Sequence, residues 1–380
     1  MIRTWRTEPA ARIAVLFFAA VSRKMFMRCL SAVALCVALV ACAPVALAAE
    51  EEDASTIAFK AVSPVVNALI NADTAAELME KAEDDALTPL QSLAMYLAAA
   101  RQDPELSQAS YHAAALFARR GDDALAERYL DEADERGMWF APVLAEDDDF
   151  KDLRAAPFFK RVLANTQARY AQVAAGRVGA ISVLEPSRGI ALPACAPVLV
   201  WLHGYGINGY LDSSDQPLAD AGVVMLGING TQMRESLDSF SWTGPYEGTH
   251  KAVQKGLDEL ATRRCIDRKQ VYLMGFSQGS QHAGALLAQH PADYAGALLV
   301  SPGGWRQPVP TESAARGKRV FVINGEQEGP ANQKMSADFR ALFGLDNTLK
   351  SRTHGGGHSY PQDWQASFPQ AIGWLMGKDG

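Results

Sequence analysis

The sequence predicts a chain in two parts: an all-α segment over residues 49–172, then an α/β segment over residues 173–380 built on a mostly parallel sheet. In the first part strand patterns are nearly absent, only two glycines occur, and Ala, Leu and Glu recur at helical spacing. In the second part, short β-rich apolar runs alternate with amphipathic stretches, which is typical of a parallel sheet covered by helices on both faces. A change of charge supports the division, because residues 49–170 hold 12 basic and 24 acidic side chains and residues 171–380 hold 18 of each.

The composition limits the class of protein. With 380 residues, 48% of them hydrophobic and 21% charged, the chain has enough apolar material for one large domain or two ordinary ones. A net charge of −7 leaves no basic stripe for a phosphate backbone, which argues against nucleic-acid binding. Five cysteines are too few for a disulfide-built scaffold. The acidic helical segment has two interpretations, a solubilising surface or a docking site for a basic protein partner.

Residues 1–48 have the pattern of an export signal. Six basic side chains precede an apolar run over residues 30–40 that is too short to cross about 30 Å of hydrocarbon. Two processing sites fit: an A-x-A motif ending at Ala48, or a lipobox-like L-V-A-C ending at Cys42, which would carry a lipid anchor. We therefore expect a periplasmic or secreted protein, or alternatively a membrane-anchored lipoprotein. Methionines at positions 25 and 27 also allow translation to start later, in which case residues 1–24 would not be part of the protein.

The clearest element of the helical segment is a helix pair over residues 111–137. Small and apolar side chains recur on both helices, a Gly-Asp-Asp turn at residues 121–123 separates them, and Gly137 closes the second. Small residues at the inner positions of two antiparallel helices resemble a tetratricopeptide-type repeat. Any helical hairpin uses small residues in this way, so a generic helical segment is the alternative.

The α/β segment begins at about Val178. Because ligand sites in such sheets lie at the carboxyl ends of the strands, the residues that follow each apolar run are the candidates for chemistry. The runs that predict strands are 180–184, 198–202, 223–226, 271–274, 297–300, 320–323 and 349–353, and the stretches that predict helices are 249–264, 278–289, 333–343 and 364–376.

A nucleophile motif follows the run at residues 271–274. Residues 275–279 read G-F-S-Q-G and lead directly into a helical stretch, which places Ser277 in a strand–turn–helix context. Such a turn strains the backbone of its central residue and exposes the hydroxyl, and the flanking glycines let strand and helix approach each other. The alternative is a serine that only caps the helix. A nucleophilic serine also needs a base, and the base needs an acid to hold it.

With two further motifs, this pattern resembles the α/β-hydrolases, closest to the phospholipase/carboxylesterase (predicted esterase) group. The motifs are G-F-S-Q-G at residues 275–279, L-H-G at residues 202–204 and G-H-S at residues 357–359, and the resemblance spans about residues 178–380. It implies a doubly wound, mostly parallel sheet, a reaction through an acyl-enzyme, and a small-molecule ester as substrate, with no cofactor.

The resemblance also implies that nucleophile, acid and histidine follow one another along the chain. Only His354 and His358 come late enough, and we expect His358 as the base because it lies in a glycine loop after the last predicted strand; His354 is the alternative. The acid is expected at Glu328, three residues after a glycine, with Glu326 as the alternative. Glu at this position replaces the commoner Asp.

Two backbone N–H groups are expected to stabilise the oxyanion, those of Tyr205 and Gln278. Gln278 directly follows the nucleophile, and Tyr205 lies in a loop that His203 is expected to shape. Three aromatic side chains near the expected mouth predict an acyl or aryl pocket, with loop packing as the alternative: Trp242, Tyr246 and Trp305.

In the strand order that the resemblance implies, Cys195 and Cys265 precede two parallel neighbouring strands. Both then lie at the amino-terminal edge of the sheet, opposite the catalytic loops, and an exported protein keeps its disulfides. We expect a Cys195–Cys265 disulfide, with two unrelated buried thiols as the alternative. No metal site is expected, since the sequence holds no H-E-x-x-H motif and these two cysteines are 70 residues apart.

The sequence therefore predicts an exported serine hydrolase that cleaves carboxylic esters. A serine peptidase of the prolyl-oligopeptidase type would share fold and residue order, but such enzymes carry a β-propeller and this chain carries helices. A non-catalytic exported interaction protein that uses the helical segment is the alternative from another class. Loss of the serine, the acid or the histidine would mark that class, and all three are present.

Overall fold

The computed structural model describes residues 54–304 and 307–378. The predicted signal segment with Cys42, and the predicted pocket residue Trp305, lie outside the described residues. Among the helices of the described ranges, none is both long enough and apolar enough to span a bilayer.

The described chain from Ala54 to Ala174 is helical. Two of its helices begin at threonines whose hydroxyls accept the N–H of the residue three positions on, Thr74 from Glu77 and Thr88 from Gln91. The Glu77 and Gln91 side chains bond back to the threonine N–H, and these capping boxes satisfy N–H groups that a helix leaves open. The α-helices are α1 (Ala54–Asn71), α2 (Ala75–Ala82), α3 (Pro89–Gln102), α4 (Ser107–Arg119), α5 (Asp123–Glu135), α6 (Ala141–Glu146) and α7 (Pro157–Ala174).

The chain divides into two compact units within α4, between Leu116 and Phe117. In the first unit, α2 packs against α3. In the second unit α5 packs against α7, where Arg161 bonds Asp131 at 2.5 Å and Arg169 bonds Asp134 at 2.7 Å. Helices α5 to α7 thus share a unit with the sheet, and the division comes earlier in the chain than the boundary expected from composition at residue 172.

A seven-stranded sheet forms the centre of the second unit, in the order β1-β3-β2-β6-β7-β8-β9. Strand β1 is antiparallel to its neighbour and all other pairings in the sheet are parallel. Each of the seven apolar runs matches one of these strands to within a residue at its start or lies inside it, which confirms the predicted mixed α/β fold with a mostly parallel sheet. The strands are β1 (Ile181–Leu184), β2 (Ala196–Leu202), β3 (Val224–Ile228), β4 (Gln232–Met233), β5 (Phe240–Ser241), β6 (Ile266–Phe276), β7 (Gly296–Val300), β8 (Arg319–Gly325) and β9 (Thr348–His354).

Helices cover both faces of this sheet. All seven residues of β2 are buried, and its side chains alternate between the two layers: Val200 packs with the cluster under α9, α10 and α11, and Trp201 with the cluster under α8 and α12. A strand buried on both faces has no polar alternation, which explains the continuous apolar runs. The helices are α8 (Gln216–Ala219), α9 (Tyr246–Ala261), α10 (Gln278–Gln289), α11 (Pro330–Phe343) and α12 (Trp364–Leu375).

The two-residue strands β4 and β5 form a small antiparallel hairpin that the sequence did not predict. The helical segment of the same unit is attached to it. The Tyr170 hydroxyl accepts the Met233 N–H at 3.1 Å, and the buried Arg234 donates to Glu146 at 3.2 Å. Residues 146–170 therefore support the loop region that follows β3.

Cys195 and Cys265 are joined by a disulfide, with their Cα atoms 4.5 Å apart. They lie at the amino-terminal ends of the parallel neighbours β2 and β6, where the Ala196 N–H also donates to the Cys265 carbonyl. The bond closes a loop of 70 residues. The carboxyl end of the 11-residue β6 is roughly 30 Å away at the rise of an extended strand.

We expect replacement of both cysteines by alanine to lower the free energy of unfolding by about 4 kcal/mol, because the bond restricts a long loop in the unfolded chain. Denaturant unfolding of the oxidised protein and of the double variant measures the difference. Reducing agent should destabilise the wild type and leave the double variant unchanged. Equal stability of the two oxidised proteins would contradict the prediction.

Candidate active site

Ser277 lies on a strained turn between β6 and α10. Its φ of 54° and ψ of −122° fall in a region that side chains other than glycine rarely adopt. A Cβ at Gly275 would lie 2.4 Å from the Gly279 backbone, and one at Gly279 would lie 2.0 Å from the Leu202 carbonyl oxygen. Only glycine therefore fits on either side of Ser277, and the turn holds its side chain at the carboxyl edge of the sheet.

His358 meets Ser277 from the loop after β9. Its Nε2 lies 2.8 Å from the Ser277 Oγ, and its ring lies 5.2 Å from that of Phe276. The glycine loop is fastened to the loop after β8, since the Gln327 N–H donates to the Gly356 carbonyl at 3.0 Å. The loop is thus held in the position that brings the imidazole to the serine.

Glu328 holds the other side of the imidazole. Its Oε2 lies 3.1 Å from the His358 Nδ1, and its Oε1 accepts the Gly325 N–H at 2.9 Å. Burial would raise the pKa of this carboxyl, but hydrogen bonds from His358, the Gly325 N–H and Ser301 together lower the pKa below its usual value. An ionised carboxylate only accepts, so the proton of neutral His358 sits on Nδ1 and leaves Nε2 free to accept from Ser277.

The two alternative residues lie elsewhere. Glu326 is exposed and donates its backbone N–H to the His354 carbonyl. The His354 Nδ1 accepts the N–H of Gly356 at 3.2 Å, inside its own loop. Neither side chain is hydrogen-bonded to Ser277 or His358 in the described part of the chain.

Three residues that the sequence analysis missed lie beside His358 or Glu328. The Asn332 amide lies 3.1 Å from the His358 Nδ1, and a Cβ at Gly303 would lie 2.9 Å from its Cε1. Ser301, fully buried with a φ of 45°, supports Glu328. No local motif marks these residues, because they reach the site from the ends of β7 and the start of α11.

Hydrogen bonds connect the residues around the predicted oxyanion donors. Gln278 is the first residue of α10, so its N–H is one that the helix itself leaves open. Its side chain bonds both ways to the Trp242 backbone, accepting the N–H and donating to the carbonyl, each at 2.9 Å. The Trp242 indole N–H donates to the His203 carbonyl at 2.9 Å, which ties the start of α10 to the loop that carries Tyr205.

His203 shapes that loop, as expected. Its Nε2 accepts the Gly230 N–H at 2.8 Å, so the ring proton is on Nδ1 and donates to the Gly204 carbonyl at 2.6 Å. Burial lowers the pKa of His203 to about 4, which keeps the ring neutral at neutral pH. The Tyr205 ring lies under the Arg234 guanidinium, 5.0 Å from its centre. The loop is thus braced at each end.

The two described aromatic candidates have different surroundings. Trp242 is 1% exposed and packs in the core cluster beside the sheet, where its indole braces the loop just described. Tyr246 borders a cavity of about 450 Å³ with several prolines, and its hydroxyl donates to the Pro308 carbonyl and accepts from Gln281. Burial raises the pKa of Tyr246 to about 12, so it acts there as a neutral group.

Comparison with known proteins finds no matching protein-family model and no similar curated protein. Solved structures that match this chain include a Bacillus cereus carboxylesterase, 21% identical, with a TM-score of 0.42, over 52% of this chain and 93% of the other. A Mesorhizobium loti carboxylesterase is 22% identical, with a TM-score of 0.39, over 48% of this chain and 88% of the other. Esterase PE8 is 20% identical, with a TM-score of 0.39, over 51% and 97%.

Proposed function

We propose that this protein is a serine hydrolase that cleaves carboxylic esters through an acyl-enzyme. The observation that carries the proposal is the continuous chain of hydrogen-bonding atoms from the Ser277 Oγ through His358 to Glu328, built on a strained turn. A serine that merely caps a helix has no need of the imidazole or of a buried carboxylate behind it.

In the first half of the reaction, the Ser277 Oγ attacks the carbonyl carbon of the ester while its proton passes to the His358 Nε2. Glu328 keeps Nδ1 protonated and stabilises the imidazolium. The N–H groups of Tyr205 and Gln278 bind the oxyanion. When the intermediate collapses, the proton on Nε2 goes to the departing alcohol and the acyl group stays on Ser277.

In the second half, water replaces the alcohol. The water oxygen attacks the acyl carbon while His358 takes a proton from the water. His358 then gives this proton to the Ser277 Oγ as the carboxylic acid leaves. Every proton transfer in both halves passes through the His358 Nε2. We expect the side chains that line the site to determine the size of the acyl group that is accepted.

The test is to label the full protein with a fluorophosphonate and then measure hydrolysis of p-nitrophenyl esters of increasing chain length. We expect stoichiometric labelling of Ser277 and turnover that peaks at one range of acyl length. A peptide p-nitroanilide series run beside it separates this proposal from a peptidase. Absence of both labelling and turnover would instead favour the interaction protein.

We expect Glu328→Gln to lower kcat by roughly 10³-fold. The amide can donate to Nδ1, which favours the tautomer with the proton on Nε2, and this tautomer cannot accept from Ser277. Glu326→Gln is the matched control and should stay within twofold of wild type, because that side chain is exposed. A large loss in Glu326→Gln with normal turnover in Glu328→Gln would assign the acid to Glu326.

We also propose export, with the disulfide and the signal-like pattern of residues 1–48 in support. The exported protein is then periplasmic or secreted or, alternatively, anchored to the membrane by lipidation of Cys42. A tetratricopeptide-like character of the helical segment and a basic protein partner there are further parts of the proposal. Mass analysis of the mature amino terminus distinguishes cleavage after Ala48 from lipidation at Cys42.

A further inference from the structure

A second cluster of chemically reactive side chains lies at the far end of α10 from Ser277. His290 directly follows α10, and His250 lies on α9; their rings stack with centres 3.7 Å apart and planes within 3° of parallel. Asp293 and Glu247 face the same pair, with His250 Nε2 3.7 Å from Asp293 Oδ2 and His290 Nε2 3.3 Å from Glu247 Oε2.

We propose that these four residues bind a divalent transition-metal ion of the zinc type. Two imidazole nitrogens and two carboxylate oxygens are a donor set that zinc takes in proteins. They come from two pairs with the same spacing of three residues, Glu247 with His250 on one turn of α9 and His290 with Asp293 after α10. The proposal does not depend on the esterase activity.

The donor atoms lie close to the separations that such an ion requires. The donor atoms of His250, His290 and Asp293 all lie within 4.8 Å of one another. Two ligands of one zinc ion, at bonds of about 2.1 Å, lie at most about 4.2 Å apart and about 3.4 Å apart in a tetrahedron. The two measured nitrogen–oxygen contacts, 3.7 and 3.3 Å, are already close to that edge length. The in-plane lone pairs of two parallel rings do not meet at one point, so the His290 ring has to turn out of the stack before both Nε2 atoms can bind one ion.

A further contact orients His250 for this role. Its Nδ1 lies 2.8 Å from the hydroxyl of Tyr294, which is 1% exposed, so the ring is held from behind and Nε2 faces Asp293. A ligating histidine commonly has its other nitrogen fixed by such a partner. The competing group is Lys251, whose Nζ lies 3.7 Å from Glu247 Oε1 but is 75% exposed and can swing away.

The site would join the start of α9 to the end of α10. Helix α10 has 12 residues and spans about 18 Å, so the ion would sit too far from Ser277 to take part in the reaction. Its role would be to clamp the helix that carries the nucleophile at its far end. A metal ion that binds the folded chain and not the unfolded chain stabilises the fold.

The test titrates ZnCl2 into EDTA-dialysed full-length protein, with calorimetry for affinity and thermal unfolding for stability. We expect one zinc ion per chain, a rise in Tm, and no saturation by MgCl2, since Mg²⁺ prefers oxygen ligands. His290→Asn should weaken zinc binding at least about 100-fold and Asp293→Asn roughly 10-fold. Asp293 is half-exposed, so its variant should fold normally.

His358→Ala is the control that removes a histidine outside the cluster, and it should bind zinc like the wild type. X-ray absorption of the zinc complex should show two imidazole nitrogens in the first coordination sphere. Absence of saturable binding in the wild type would overturn the proposal. So would zinc binding that survives in His290→Asn and is lost in His358→Ala.

Discussion

Ser277→Ala is expected to lower kcat for p-nitrophenyl esters by roughly 10⁴-fold or more, since nucleophile and base act as a unit. The loss should appear in kcat rather than in KM, because the hydroxyl bonds to the reacting carbon only after the substrate is bound. Steady-state kinetics and fluorophosphonate labelling of the same preparations measure it.

Ser280→Ala is the matched control for that variant. Ser280 lies three residues further along, fully buried, with no hydrogen-bond partner for its hydroxyl among the described residues. Its replacement should leave kcat within twofold of the wild type. A folded Ser277→Ala variant that keeps its esterase activity would contradict the hydrolase proposal.

His358→Ala is expected to be as inactive as Ser277→Ala, again by roughly 10⁴-fold or more in kcat. Without Nε2 at 2.8 Å, the Ser277 hydroxyl has no basic acceptor for its proton among the described residues. The double variant should be no slower than either single one, since the two residues work as one unit.

His354→Ala is the control for this second variant. Its ring bonds the N–H of Gly356 and makes no bond to Ser277 in the described chain, so we expect a modest loss of stability and nearly full turnover. A dead His354→Ala beside an active His358→Ala would reverse the assignment of the base.

The sheet could be predicted well because burial on both faces leaves a recognisable pattern in the sequence. A strand such as β2, with every residue buried, reads as a continuous apolar run. The hairpin of β4 and β5 was not predicted, because strands of two residues are too short to show a periodic pattern. The division of the chain between Leu116 and Phe117 was not predicted, because it reflects contacts between residues far apart in sequence and the chain is helical on both sides of it.

The residues of the candidate site also differ in whether the sequence alone could indicate them. Ser277 could be found because its strained turn requires glycines at fixed positions on either side. Asn332 and Ser301 carry no such local requirement, and only the folded chain brings them to His358 and Glu328. The histidine cluster behind α10 was missed because its two pairs are about 40 residues apart and match no metal motif.

The contacts of Glu146 and Tyr170 with the β4–β5 hairpin set a lower limit on how far the chain can be shortened. A fragment that begins at residue 173 would lose both, leaving the Met233 N–H without its acceptor and Arg234, 6% exposed, with Glu235 at 3.8 Å. Glu146 is 31% exposed, so losing it should cost less than the roughly 3–5 kcal/mol of a fully buried pair, but still a sizeable part of the stability of an ordinary domain. A fragment that begins at Phe117 keeps both contacts, so we expect the smallest unit that folds on its own to start well before the first strand of the sheet.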